Sequence, residues 1–325
     1  MINTETTYLG IQLRNPVVVS SSALSDTVDK IRKMEENGAG AVVLKSLFEE
    51  QINYDAATLA KGTDYPEAVD YVNYYIKHNS VENYLKLIRE AKEKVSIPIF
   101  ASINCISSSR WIEFSKRIEE AGADGLEVNV FILPLDKNAK ADKYENIYFE
   151  LADKLKDTIS IPFAFKIGCH FTNLVGMVER LNALDVPGVV LLNRFYEPDI
   201  DPDTMEFTSA PVFSSPEDIR HSLRWVGIIS SKVQKIDIAA STGVHDGRAL
   251  VKQLLAGADA VQICSTIYKN GFGQIRQILD ELKEWMEAHS FSKIDDFQGK
   301  MSYKNLKDPL VYERSQFMRY FSSIQ

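Results

Sequence analysis

Glu36-Asn37-Gly38-Ala39-Gly40-Ala41-Val42-Val43-Leu44 returns as Glu120-Ala121-Gly122-Ala123-Asp124-Gly125-Leu126-Glu127-Val128, and again as Leu255-Ala256-Gly257-Ala258-Asp259-Ala260-Val261-Gln262-Ile263. A looser copy is Leu184-Asp185-Val186-Pro187-Gly188-Val189-Val190-Leu191-Leu192. The physics of each copy is the same. A glycine just past an amphipathic helix can take the left-handed conformation that ends it. The apolar run that follows shows little alternation, as expected for a strand buried on both faces.

A second junction alternates with the first. It reads Val95-Ser96-Ile97-Pro98-Ile99-Phe100-Ala101-Ser102, then Ile159-Ser160-Ile161-Pro162-Phe163-Ala164-Phe165-Lys166. Proline is acceptable at the first residue of a strand. Lys235-Ile236-Asp237-Ile238-Ala239-Ala240 is a proline-free version. Together the junctions predict strands at Val17–Ser20, Ala41–Leu44, Ile97–Ile103, Gly125–Val130, Pro162–Lys166, Gly188–Leu192, Ile236–Ala240 and Ala260–Cys264. Helical patterns such as Ser108–Ala121 and Gly247–Leu255 lie between most of them. Eight βα units are the count of a closed barrel. The expected architecture is therefore α/β, a single (β/α)8 TIM barrel over 1–325 with a C-terminal extension from about 303. The competing architecture is an open doubly wound sheet. No G-x-G-x-x-G follows the first strand to support its dinucleotide-binding form.

The chain has 325 residues, a length that α/β barrels reach as one unit. The formal net charge is -8 and no basic block stands out, which argues against nucleic-acid binding. Cys105, Cys169 and Cys264 are far apart and form no CxxC pair. That argues against a zinc site or a disulfide framework, and no metal is expected. It fits a reducing location. Met1 to Leu9 carries no apolar signal core, and no run approaches a membrane span. The expectation is a cytoplasmic protein with no membrane partner. Two segments break the rhythm, Glu49–Asn79 and Phe195–Ser215, and loops this long serve as lids, partner surfaces or plain surface decoration. Tyr312, Phe317, Tyr320 and Phe321 in the tail are expected to pack on the barrel or on a second subunit.

Chemistry in such a barrel collects at the carboxyl ends of the strands. These ends carry, in order, Ser20-Ser21-Ser22, Lys45-Ser46, Ser102-Ile103-Asn104, Asn129, Lys166, Asn193-Arg194, Ser241-Thr242-Gly243 and Cys264-Ser265-Thr266. Lysines that directly end buried strands are costly unless an anion or partner meets them. Asparagine supplies both donors and acceptors, which suits the imide edge of a flavin or a pyrimidine. Ser241-Thr242-Gly243 and Cys264-Ser265 are each expected to open a helix, at the two loops where this fold binds phosphate. A flavin-free alternative is a phosphate-binding lyase or isomerase, with Lys45 or Lys166 as a Schiff-base lysine.

From about Leu9 to Ser302 the chain resembles the soluble-class dihydroorotate dehydrogenases and the flavin and pyrimidine domain of dihydropyrimidine dehydrogenase. The likeness rests on Leu9-Gly10-Ile11-Gln12-Leu13-Arg14-Asn15-Pro16, Leu44-Lys45-Ser46, Phe100-Ala101-Ser102-Ile103-Asn104-Cys105, Phe165-Lys166 and Phe297-Gln298-Gly299-Lys300. The resemblance implies non-covalent FMN. Ser20 and Ser21 would lie against its ring system, with Ser46 and Asn104 also in the cofactor set. Lys45 would approach both flavin and pyrimidine, and Lys166 would sit beside the flavin N1–O2 edge. Asn129 and Asn193 would bind the pyrimidine, Asn129 also touching the flavin. Ser241, Thr242, Gly243, Cys264 and Ser265 would hold the phosphate. The implied reaction removes a proton from C5 of dihydroorotate and passes a hydride from C6 to flavin N5. The implied assembly is a homodimer.

The chain departs from the family at four places. The base loop, of the type Asn-Leu-Ser-Cys-Pro-Asn, reads Asn129-Val130-Phe131-Ile132-Leu133-Pro134, so Ile132 takes the base position and cannot transfer a proton. The substrate loop is reduced to Asp64-Tyr65-Pro66-Glu67-Ala68-Val69, without asparagines. Thr242 and Cys264 replace two glycines, and Arg194 replaces a serine. Arg194 could clamp a carboxylate or fill space. Ser107, Ser108, Ser109 and Asp136 are other candidate bases. Two activities follow: a flavin oxidoreductase acting on a dihydropyrimidine, or a degenerate member that binds flavin or a partner without oxidising dihydroorotate. Electrons would leave to fumarate, a quinone or a partner protein.

Overall fold

The computed structural model describes residues 2–48, 81–104, 108–130, 132–194, 198–209 and 212–313. Its centre is a ring of eight parallel strands. They are β1 (Val17–Val19), β2 (Ala41–Val43), β3 (Ile99–Asn104), β4 (Gly125–Asn129), β5 (Phe163–Ile167), β6 (Gly188–Leu191), β7 (Asp237–Ser241) and β8 (Ala260–Ile263). Each pairs with the next, and β8 pairs with β1, so the barrel closes. All eight predicted strands are present, their ends shifted by a residue or two.

The repeats work as their composition suggests. Gly38, Gly122 and Gly257 have φ of +99°, +95° and +110°. In each full copy a backbone N–H two residues on then donates to the strand before: Gly40 to Val17 O at 2.7 Å, Asp124 to Ile99 O at 2.9 Å, Asp259 to Ile238 O at 2.8 Å. The Asp124 and Asp259 carboxylates accept from the N–H groups of Ile99 and Ile238. The repeat is thus a stitch that docks each new strand onto its neighbour.

The amino end of the barrel is plugged by an antiparallel hairpin, Thr6–Tyr8 with Ile11–Leu13. Tyr8, Leu9 and Leu13 bury themselves among the inward residues Val18, Ala41, Val43, Phe100, Ala164, Val190, Ala239 and Ala260. The four alanines make room for the plug. Between β2 and β3 the ladder is interrupted, and the Tyr84 hydroxyl fills the gap. It accepts from the Ser102 N–H at 2.8 Å and donates to the Ser102 carbonyl at 3.1 Å.

The long segment after β6 forms an antiparallel hairpin, Pro198–Asp201 with Glu206–Ser209, that leaves Ile200, Met205 and Phe207 exposed. Tyr312 of the tail packs on the barrel's outer helix at Gly227, where an added Cβ would lie 2.4 Å from its ring. Glu49–Asn79 and Phe317, Tyr320 and Phe321 lie outside the described residues. No described helix is long and apolar enough to cross a membrane.

One consequence of the stitch is pH-dependent. Asp237 accepts from Leu9 N–H at 2.6 Å, anchoring the plug, and Asp259 lies beside it. Burial pushes the Asp259 carboxyl up to about 7, and the charge of Asp237 adds to the rise. A carboxyl raised from about 3.9 in the unfolded chain holds its proton longer in the folded state. Its contribution to stability is therefore full below about pH 4 and lost as pH rises towards 7. The stability difference between the native protein and Asp259→Asn should move by about 1.4 kcal/mol per pH unit at most across that window. Urea unfolding at pH 5 and pH 7 measures it; a pH-independent difference would contradict the assignment.

Candidate functional site

Alternation along the strands decides what faces the barrel axis. Phe100, Ala164 and Ala260 are inward at the plugged end. Two residues further along the same faces come Ser102, Lys166 and Gln262, and Asn104 follows. Register then sets Asn104 beside Asn129, Asn129 beside Lys166, and Ser241 beside Gln262. The polar carboxyl-end layer predicted from sequence is thus assembled by strand pairing alone.

Lys166 is the centre of that layer. Its Nζ donates to Ser20 Oγ at 3.0 Å, Gln262 Oε1 at 2.9 Å and Glu127 Oε1 at 3.3 Å. An ammonium has three N–H donors, and all three are used here. Gln262 Nε2 donates to Glu127 Oε2 at 2.5 Å, and Ser20 Oγ donates to Gln262 Oε1 at 3.0 Å. Lys166 is 8% exposed and Glu127 4%.

A second chain of hydroxyls runs beside it. Ser21 Oγ and Ser46 Oγ are 2.9 Å apart, Ser46 Oγ and Ser102 Oγ 2.7 Å, and the Ser46 N–H donates to Ser21 Oγ. Asn193 Nδ2 donates to Asn129 Oδ1 at 2.9 Å. Asn104 is buried and its Oδ1 accepts no hydrogen bond among the described residues. Lys45 is half-buried just past β2.

Part of this layer borders a cavity of about 300 Å³, whose lining does not include Lys45, Ser46, Asn104 or Asn129. Ser20, Ser21, Lys166 and Gln262 line it, as do Asn193 and Arg194, with Ser241, Thr242, Gly243, Cys264 and Ser265 bringing the β7 and β8 loops to it. Thr242 has a left-handed backbone, φ +80°, and its Oγ1 donates to Leu192 O, just past β6, at 3.2 Å. Burial pushes the Cys264 thiol up, opposed by a Ser22 hydrogen bond and the Lys166 charge.

Several expectations need correction. Ser241-Thr242-Gly243 does not open a helix; the next helix is Gly247–Ala256, capped by Asp246. Only Cys264 stands directly before one, the short Ser265–Asn270. Cys169 is exposed. Arg194 lines the cavity described above and is also held by the protein itself. Its Nη1 donates to Val212 O at 2.7 Å, and Asp218 lies 4.0 Å from its Nε.

Ile132 is half-buried against the outer core and lines a different cavity, with Tyr148, His170 and Phe171. Asp136 is exposed and paired with Lys143 at 3.4 Å. The side chains of Ser107, Ser108 and Ser109 lie outside the description, as do Cys105 and Asp64–Val69.

Sequence reasoning missed Glu127 and Gln262 as site residues. The signal was present: a charged or amide side chain in the middle of Leu126-Glu127-Val128 and Val261-Gln262-Ile263 needs a buried partner. It also missed the strap at 212–214. There the Ser214 N–H donates to Ser265 Oγ at 3.0 Å, Lys269 donates to Ser214 O at 2.8 Å, and Ser214 Oγ meets His245 Nε2 at 3.1 Å. Burial pushes the His245 imidazole down, with the Lys269 charge acting the same way.

The residues present fit a flavin mononucleotide. A buried cation at the cavity wall suits the polar edge of its ring, and the hydroxyl-bearing β7 and β8 loops suit its phosphate. A family model described as dihydroorotate dehydrogenase matches residues 3–286. The Thermoplasma volcanium protein named dihydroorotate dehydrogenase B (NAD(+)), catalytic subunit, is 27% identical over 312 residues, covering 92% of this chain and 98% of its own length. Proteins of the same name from Thermoplasma acidophilum and Pyrococcus furiosus are each 25% identical, covering 92% and 89% of this chain and 99% and 96% of their own.

Proposed function

This chain belongs to the dihydroorotate dehydrogenase family, and we propose that it holds FMN at the carboxyl ends of its strands and acts as a flavin oxidoreductase on a dihydropyrimidine or related ring. The observation that carries this reading is Lys166, buried at the cavity wall with its donors fully ordered. FMN, when bound, supplies an acceptor for a hydride and a ring that becomes anionic. Lys166 is a fixed cation for that developing charge, requiring no reorganisation when it appears. Ser20, Ser21, Ser46 and Asn104 support the ring. Ser241, Thr242, Gly243, Cys264 and Ser265 hold the phosphate. Lys45, Asn129 and Asn193 bind the substrate. The Asn193–Asn129 hydrogen bond fixes both amides and leaves Asn129 its Nδ2 donors and Asn193 its Oδ1 acceptor for a planar imide.

One observation favours a narrower activity. Ile132 carries no proton acceptor and packs against apolar neighbours, which supports a member that binds flavin but oxidises dihydroorotate poorly or not at all. The relatives' name, catalytic subunit of an NAD(+) enzyme, supports a partner subunit as the electron exit; a homodimer is the other assembly the family suggests.

Purified protein mixed with FMN and desalted should retain flavin absorbance. Colourless protein would overturn the flavin reading. Anaerobic dihydroorotate then separates the two activities. Rapid bleaching supports the oxidoreductase. Bleaching by dithionite alone supports the narrower member.

A further inference from the structure

Among the described ion pairs, Lys166 with Glu127 is the most deeply buried, and the two face each other at 3.3 Å. Lys166 borders the cavity together with Gln262 and Ser20. Glu127 stands behind Lys166, its two oxygens taken by Lys166 and Gln262. We infer that Glu127 is the built-in counter-charge of Lys166 and that it sets the reduction potential of a flavin bound above them. The inference rests on the flavin reading of the cavity.

Two consequences follow from this placement. The cation at the cavity floor is largely cancelled by an acid one layer deeper, so the floor is close to neutral. Charges so little exposed are weakly screened by solvent, so a change in either is felt at the cavity. Reduction of bound FMN by two electrons and one proton leaves a negative charge at the ring edge. With Glu127 neutralised, Lys166 would meet that charge uncompensated, and the reduced form would gain. Glu127 touches the ligand only through Lys166, so it is a positioning residue. Gln262 completes the device: its amide oxygen accepts from Lys166 and Ser20 while its Nε2 holds Glu127, fixing acid and base at once.

The test uses FMN-loaded protein, titrated anaerobically with dithionite against a reference dye. In Glu127→Gln the ratio of reduced to oxidised flavin at a fixed potential should rise tenfold or more, a shift of about +30 mV for a two-electron couple. Glu127→Met, neutral by a different shape, should shift it the same way. Glu127→Asp, which keeps the charge, should stay near the native ratio. A purely structural role would lower flavin affinity or thermal stability in all three without this pattern. A neutral variant that binds FMN with a ratio within twofold of native overturns the inference, as does Glu127→Asp shifting as far as the neutral pair. Native protein that takes up no FMN overturns the flavin reading itself, and is seen before any variant is compared.

Discussion

Lys166→Met is expected to lower folding stability by about 3–5 kcal/mol, the penalty for leaving a buried charge without its partner. Glu127 is 4% exposed and cannot swing to solvent without leaving the barrel axis. Without Lys166 its carboxylate keeps a donor in Gln262 Nε2 but loses its counter-ion. Ser20 Oγ also loses its donor and Gln262 Oε1 keeps only the Ser20 hydroxyl, which adds to the cost because buried acceptors that lose a donor are expensive. Methionine fills the space of the stem, so cavity formation is not the main term. The double variant tests the pair more sharply. Lys166→Met with Glu127→Gln removes both charges and should recover most of the loss, because the intact pair contributes little once desolvation is counted. Flavin uptake should stay lost in both. Urea unfolding of the two proteins decides it. A single-variant loss below about 1 kcal/mol would mean the pair is solvated, and the burial argument would fail.

The barrel was legible because its signal is repeated and local. Each copy of the glycine–alanine–strand junction states a helix stop, a turn and an apolar strand, and closure follows once both junction types have marked out a total of eight strands. The strand-end residues were legible for the same reason: once the strands are placed, period two decides which side chains face the axis. What was not legible needed two distant segments at once. Glu127 and Gln262 are separated by 135 residues, and only strand order brings them to Lys166. The strap at 212–214 reads as a loop, and its hold on Ser265 and Lys269 is a matter of tertiary contact. Ser241-Thr242-Gly243 was misplaced as a helix start because small hydroxyl residues serve caps and loops alike. The true cap is Asp246. Tyr84 shows the same limit: nothing in its neighbourhood announces that its hydroxyl replaces a missing rung between β2 and β3.

Gly243→Ala and Thr242→Gly are neighbouring changes with opposite expectations. Both residues hold a left-handed backbone, φ +78° at Gly243 and +80° at Thr242. At Gly243 a new Cβ would lie 2.1 Å from Ile219 N, 2.6 Å from Ile219 Cα and 2.7 Å from Asp218 C. These are backbone atoms at the start of the helix Ile219–Lys232, so no rotamer change relieves the overlap. The left-handed conformation costs about 1–2 kcal/mol for a residue with a side chain. Forced overpacking adds about 1–3 kcal/mol. A total loss of about 2–5 kcal/mol is therefore expected, with flavin retention lost as the β7 loop is pushed off its neighbour. At Thr242 the cost is already present, and a β-branched residue at this φ is an outlier. Thr242→Gly removes strain of about 1–3 kcal/mol. It also loses the Oγ1 hydrogen bond to Leu192 O, about 1 kcal/mol, and adds backbone entropy to the unfolded chain, about 0.5–1 kcal/mol. The sum is near zero, so Thr242→Gly should match the native protein in stability and retain flavin at least as well. Thermal unfolding and flavin retention after desalting report both variants. If Gly243→Ala folds and stays yellow like the native protein, the loop does not pack on the helix start, and its assignment as the phosphate cradle falls with it.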